Sequence, residues 1–103
     1  MTTTRSGKRE SDLQKQVIKW CRENGVYCVN VHAGGMTGKG TPDVLICLDG
    51  KFVGCELKVK GNKMDAAQEI RRCQILESGG YHILPYSFPE FLQAIEDIRN
   101  EKS

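Results

Sequence analysis

Apolar residues recur every three or four positions in the first quarter of the chain: Leu13, Val17, Trp20 and Cys21 share one stripe between polar positions. The period predicts a helix from Arg9 to Asn24, stopped by Gly25. In the next stretch, "VYCVNVH" (26–32), Tyr27, Val29 and Val31 alternate with a more polar set, which predicts a strand. "AGGMTGKG" (33–40) holds four glycines and reads as a loop. Its likeness to a phosphate-binding loop is superficial, because the G-x-x-x-x-G-K-[ST] pattern fails at Ala33 and at Gly40. "PDVLICL" (42–48) and "KFVGCELKV" (51–59) are strands joined at Asp49-Gly50, a strong two-residue hairpin signal. A helix over about 65–78 follows, with a less clean apolar stripe, closed by Gly79-Gly80. "YHILPY" (81–86) is a short strand that Pro85 places near a sheet end. Ser87 to Glu90 forms a capping box with Pro89 in the first turn, and Phe88, Phe91, Leu92, Ile95 and Ile98 give the last helix a core face. The order is α-β-β-β-α-β-α, with neither repeat nor linker. It describes one domain, residues 9–103, behind a flexible N-terminal arm, 1–8, whose basic character comes from Arg5, Lys8 and the adjoining Arg9.

Composition changes this picture little. At 103 residues the chain is near the commonest domain size, and 39% hydrophobic with 27% charged residues is ordinary for a globular protein. The net charge of +2 is too small to argue for nucleic-acid binding, so any basic surface must come from local clustering. The five cysteines, 21, 28, 47, 55 and 73, include no C-x-x-C pair. They are expected to be reduced core residues of an intracellular protein. With no signal peptide and no apolar run of about 18 residues, the protein is expected to be soluble and cytoplasmic, with no membrane partner and no organic cofactor.

Charge matters at the hairpin. If Asp49-Gly50 is the two-residue turn, Leu48 faces Lys51, and the same register carries Asp43 directly across from Glu56. Opposed residues share a face with Cβ atoms about 4.5–5.5 Å apart, where like charges destabilise. Lys58 projects from the same face roughly 7 Å further along. The other face carries Val53, Cys55, Leu57 and Val59 and reads as core. Two carboxylates so close call for a positive group between them. A hard cation such as Mg²⁺ answers this, with Lys58 orienting a water or balancing charge; a solvated face neutralised by Lys58 is the alternative. Glu10 lies on the Leu13–Val17–Cys21 stripe, either at the rim of the core or as a first-turn acid favoured by the helix dipole. Gln68, three residues after Asp65, fits a capping box. His32 and His82 read as structural or surface residues, with His32 close enough to the glycine-rich loop to touch DNA.

Pro42-Asp43, twelve intervening residues and Glu56-Leu57-Lys58 resemble the PD-(D/E)xK nuclease signature. More narrowly, Glu10, Gly40-Thr41-Pro42-Asp43, Glu56-Leu57-Lys58 and Gln68, in that order over about residues 9–92, resemble the virus-type replication-repair nuclease (VRR-NUC) domain. The resemblance implies a restriction-endonuclease-like α/β core with a mixed central sheet flanked by helices. It implies a Mg²⁺- or Mn²⁺-dependent endodeoxyribonuclease in which Asp43, Glu56, Glu10 and the Leu57 carbonyl hold metal. Lys58 would then activate or orient water, and Gln68 would contact the water or a phosphate. Lys39, Lys60, Lys63, Arg71 and Arg72 flank that site as possible phosphate contacts. Stand-alone copies of the family occur in phages and resemble junction-processing enzymes, so a phage-type protein would act in a bacterial host's cytoplasm. No base-reading module is evident, which points to structure-selective cutting of branched DNA. A four-way junction cut by a homodimer fits best. The alternatives are a flap or nicking nuclease on asymmetric branches, a non-catalytic DNA-binding module, and a hydrolase of RNA or small nucleotides.

Overall fold

The stripe of Leu13, Val17 and Cys21 winds Ser6–Glu23 into helix α1, and all three side chains are buried. The computed structural model describes residues 6–31, 38–58 and 61–101, with side chains from Glu10 onward. Helix α1 starts three residues before Arg9, so residues 6–8 of the expected arm are helical backbone. Arg5, His32, Val59 and Lys60 lie outside the described residues. Gly25, at φ +67, ends the helix, and the Cys21 carbonyl accepts from both Asn24 N and Val26 N. Trp20 sits at the edge of the stripe, half-buried, and meets the Phe91 ring edge-on at 5.4 Å between centroids.

Strands β1 (Tyr27–Asn30), β2 (Val44–Leu48), β3 (Lys51–Cys55) and β4 (Tyr81–Ile83) form one sheet in that order. The first three are antiparallel, and β4 joins β3 in parallel. Helix α2 (Ala66–Glu77) is the crossover that such a parallel pairing requires. Asp49 at φ +52 and Gly50 at φ +83 make the expected tight turn, and Leu48 pairs with Lys51 through to Val44 with Cys55. The expected fold class, a mixed sheet flanked by helices in the order α-β-β-β-α-β-α, is what the chain adopts.

The sheet has two unlike faces. One carries Val44, Ile46, Leu48, Val53 and Cys55, all buried, and forms the core with α1 and α3 (Phe88–Asn100). On the other, Gly54 lies beneath Pro42 and Ile75 of α2: a Cβ there would come within 2.9 Å of each. Helix α2 therefore covers the β3–β4 side of this face and itself contains no buried residue.

Several expectations are corrected here. Tyr27 is 73% exposed and Val29 41%, while Val26 and Cys28 turn inward. Pairing with Cys47 and Leu45 puts Tyr27 and Val29 on the α2 face, beyond the part that α2 covers. On α3, Phe91, Ile95 and Ile98 are buried but Leu92 is exposed, since it lies 100° around the helix from Phe91. The Ser87 hydroxyl caps Glu90 N at 3.3 Å, while Glu90 Oε1 accepts from Tyr86 N rather than completing the box at Ser87. Among the cysteines, all free, only Cys21 and Cys55 are buried; Cys47 on the bare sheet face and Cys73 on α2 are exposed.

Candidate active site

The antiparallel ladder of β2 and β3 ends at Val44–Cys55, one residue short of the charged pair. There the two strands part. The Asp43 carbonyl accepts from Val31 N on the β1 side at 2.9 Å, and Glu56 N donates to the Ile83 carbonyl on the β4 side at 2.9 Å. β3 is therefore shorter than the expected 51–59 run. Leu57 N, freed from the ladder, donates to Asp43 Oδ2 at 2.8 Å. This bond fixes the Asp43 carboxylate against the Glu56-Leu57-Lys58 segment. The Leu57 side chain is buried on the core face, as the alternation predicts.

Glu56 is the one buried charged residue among those described, 1% exposed. Its two oxygens differ. Oε2 accepts from the Gln68 amide at 2.7 Å, whereas Oε1 is buried with no hydrogen-bond partner. Burial pushes the Glu56 carboxyl above the usual carboxylate range; Asp43 pushes it further, while His82 and Lys58 pull it down. Burial likewise raises Asp43, opposed by the Leu57 N–H and by Lys58. Two carboxylates whose proton affinity burial raises, one of them raised further by the other and left with an orphaned oxygen, are the donor set a hard divalent cation fits. Lys58, half-buried, acts electrostatically on both.

Gln68 has two roles at once. Asp65 Oδ1 accepts from Gln68 N and Gln68 Oε1 accepts from Asp65 N, each at 2.9 Å, so the capping box of α2 is complete. The remaining Gln68 Nε2 reaches Glu56. The helix start is held against the Gly40-Thr41-Pro42-Asp43 loop by a close backbone approach. A Cβ on Gly40, at φ +83, would lie 2.3 Å from the Ala67 carbonyl oxygen. Only glycine meets both conditions. Arg71 ties the loop down from the other end, donating from Nε to the Lys39 carbonyl at 3.0 Å.

Glu10 is not gathered with the pair. Among the described residues no three His, Cys, Asp or Glu side chains stand close enough to enclose an ion. The reason is topological, because α1 packs on the core face while Asp43 and Glu56 alternate onto the α2 face. Of the basic candidates, Lys39 and Lys63 are exposed, Arg71 and Arg72 are half-buried on α2, and Lys60 lies outside the described residues. Arg71 already bonds Lys39 and Gln74, which gives it a structural task. The residue that sequence reading took as structural or surface, and not as part of the site, is His82. Its side chain is 2% exposed, and its Nε2 stands 3.9 Å from Glu56 Oε1. Only the parallel pairing of β4 with β3, which sets His82 beside Gly54, brings it there.

No family model and no curated protein matches the sequence. A solved structure described as a VRR_NUC domain matches with a TM-score of 0.70 at 21% identity, covering 91% of this chain and 98% of that one. The chain has the VRR-NUC fold. Nearly the whole of both molecules takes part, so the likeness extends beyond the hairpin to all three helices and the crossover. In this VRR-NUC fold Asp43 leads into β2, Glu56-Leu57-Lys58 follows β3 and Gln68 opens α2; Asp43 and Glu56 meet on the α2 face, where Gln68 bonds Glu56. No helix among the described residues is long and apolar enough to cross a membrane.

Proposed function

We propose that the protein is a metal-dependent, structure-selective endonuclease that hydrolyses phosphodiester bonds in branched DNA. The observation that carries this reading is the buried Glu56 carboxylate with its unpartnered Oε1, set beside the half-buried Asp43 and with Lys58 acting on both. Asp43, Glu56 and the Leu57 carbonyl would hold Mg²⁺ or Mn²⁺. Bound there, the ion supplies a Lewis acid for the scissile phosphate and lowers the pKa of a water. Leu57 N–H keeps Asp43 turned toward Glu56, and Gln68 keeps Glu56 turned toward Asp43. The Lys58 ammonium orients the attacking water and offsets charge as it develops on the phosphate. Lys39, Lys63 and Arg72 contact flanking phosphates, which sets position rather than sequence.

Four-way junctions are the proposed substrate and a homodimer the proposed enzyme, since resolution needs two sites related by a twofold axis. Support for the dimer comes from Tyr27, Val29 and Phe52, apolar residues that one copy leaves exposed on a single sheet face. The test is a panel of labelled duplex, splayed, flapped, three-way and four-way DNAs with Mg²⁺. Wild-type protein cuts the four-way junction, and Glu56→Ala or Lys58→Ala lowers the rate by roughly 100-fold or more while leaving binding in Ca²⁺ intact. Retained cutting by either variant overturns the site, and cutting confined to flaps overturns the junction assignment.

A further inference from the structure

We infer that His82 is a positioning residue for the Glu56 carboxylate, and so sets how tightly the proposed site holds its divalent ion. The inference rests on the metal-site reading above. Glu56 lies just past the end of the β2–β3 ladder, where its backbone, held to the Ile83 carbonyl, sets the face of the side chain but not the orientation of its carboxylate. One oxygen is fixed by Gln68 at 2.7 Å. A single anchor still lets the carboxylate swivel about that contact. Near the other oxygen stands the His82 imidazole, its Nε2 3.9 Å from Oε1, with both side chains sealed from solvent at 2% and 1% exposure. The parallel β3–β4 register, which pairs His82 with Gly54 two residues before Glu56, brings the ring to this carboxylate. A ring nitrogen facing an unpartnered carboxylate oxygen in a dry space is the arrangement by which an outer group orients a metal ligand. Its removal typically weakens metal binding 10- to 100-fold.

The test measures Mn²⁺ binding to the intact protein without DNA, by calorimetry or by loss of the free-ion electron paramagnetic resonance signal. His82→Phe keeps a ring in the space but removes the nitrogen; Mn²⁺ affinity is expected to fall about tenfold or more. His82→Gln retains an N–H donor and is expected to stay within about threefold of wild type, with unchanged affinity for junction DNA in Ca²⁺. If His82→Phe does not fold, His82→Leu makes the same comparison with a smaller apolar side chain. Wild-type affinity in the apolar variant overturns the inference, as does an equal loss in the apolar and glutamine variants, which would mark His82 as packing alone. Failure of the wild-type protein to bind Mn²⁺ would instead remove the metal-site reading, and this inference with it.

Discussion

Glu56 carries its charge at a place where water cannot reach it, and the energetics of the site follow from that. Its carboxyl titrates above the ordinary value of 4.5, chiefly through burial. A carboxyl whose folded-state pKa exceeds its unfolded one binds more protons in the folded state within the window between the two. Stability therefore falls as pH rises through that window and stays lower above it. Glu56→Gln keeps an acceptor for Gln68 but never ionises. The metal-free variant is expected to melt above wild type at about pH 7.5, with the difference vanishing near pH 4, where both side chains are neutral. Added Mg²⁺ restores the wild type by offsetting the charge and leaves the variant unmoved. Thermal melts in chelator and in Mg²⁺ at the two pH values check this. A variant less stable than wild type at neutral pH would mean that Glu56 is satisfied without an ion.

Helix α2 brings Gln68 to Glu56, and its placement depends on backbone geometry more than on apolar burial. The helix buries no residue of its own. It is held by its capping box and by the Gly40 contact with Ala67, with Ile75 seated over Gly54. Gly40→Ala faces both the positive φ and a carbonyl oxygen 2.3 Å from the new Cβ, whereas Gly50→Ala, also at φ +83, meets nothing within 4 Å. Each substitution is expected to lose about 1–3 kcal/mol to backbone conformation. Gly40→Ala should lose more, and it alone should reduce cleavage. Urea unfolding with a cleavage assay separates the two; equal losses would deny that the loop–helix approach matters. What sequence reading reached divides along the same line. The Asp49-Gly50 turn fixes register locally, so the pairing from Leu48–Lys51 to Val44–Cys55, which ends beside Asp43 and Glu56, was legible, as were the stripe of α1 and the cap of α2. The parallel union of β3 and β4 is non-local, and His82 was therefore hidden. The direction of Tyr27 and Val29 was hidden as well, because an edge strand's alternation gives a period without saying which face is covered. Glu10 is not gathered with Asp43 and Glu56, and the sequence could not show this, because a helical stripe locates a residue on its helix but not relative to the far side of a sheet.

At the scale of the whole molecule, α2 is too short to cover the sheet face it lies on. The β1–β2 side of that face is left with Tyr27, Val29 and Cys47, continued by Phe52 across the ladder. None of these side chains is charged, so a phosphate backbone finds no cation among them. A flat, neutral, apolar patch is complementary to its own twofold copy, and closing two such patches needs about 800 Å² from each partner in an ordinary interface. Buried aromatic residues near the centre of an interface commonly contribute about 2 kcal/mol or more each, roughly thirtyfold in the dissociation constant. Tyr27→Lys and Phe52→Lys alter exposed positions and leave the core intact. Each is expected to shift the protein from dimer to monomer in light scattering at micromolar concentration, with little change in urea midpoint. The proposed catalytic residues Asp43, Glu56 and Lys58 lie toward the other end of the β2–β3 hairpin, and the proposed nicking should survive. The variants would then nick one strand of a four-way junction without the paired second cut. A wild-type protein that scatters as a monomer would remove paired nicking from the function while leaving the hydrolytic site untouched.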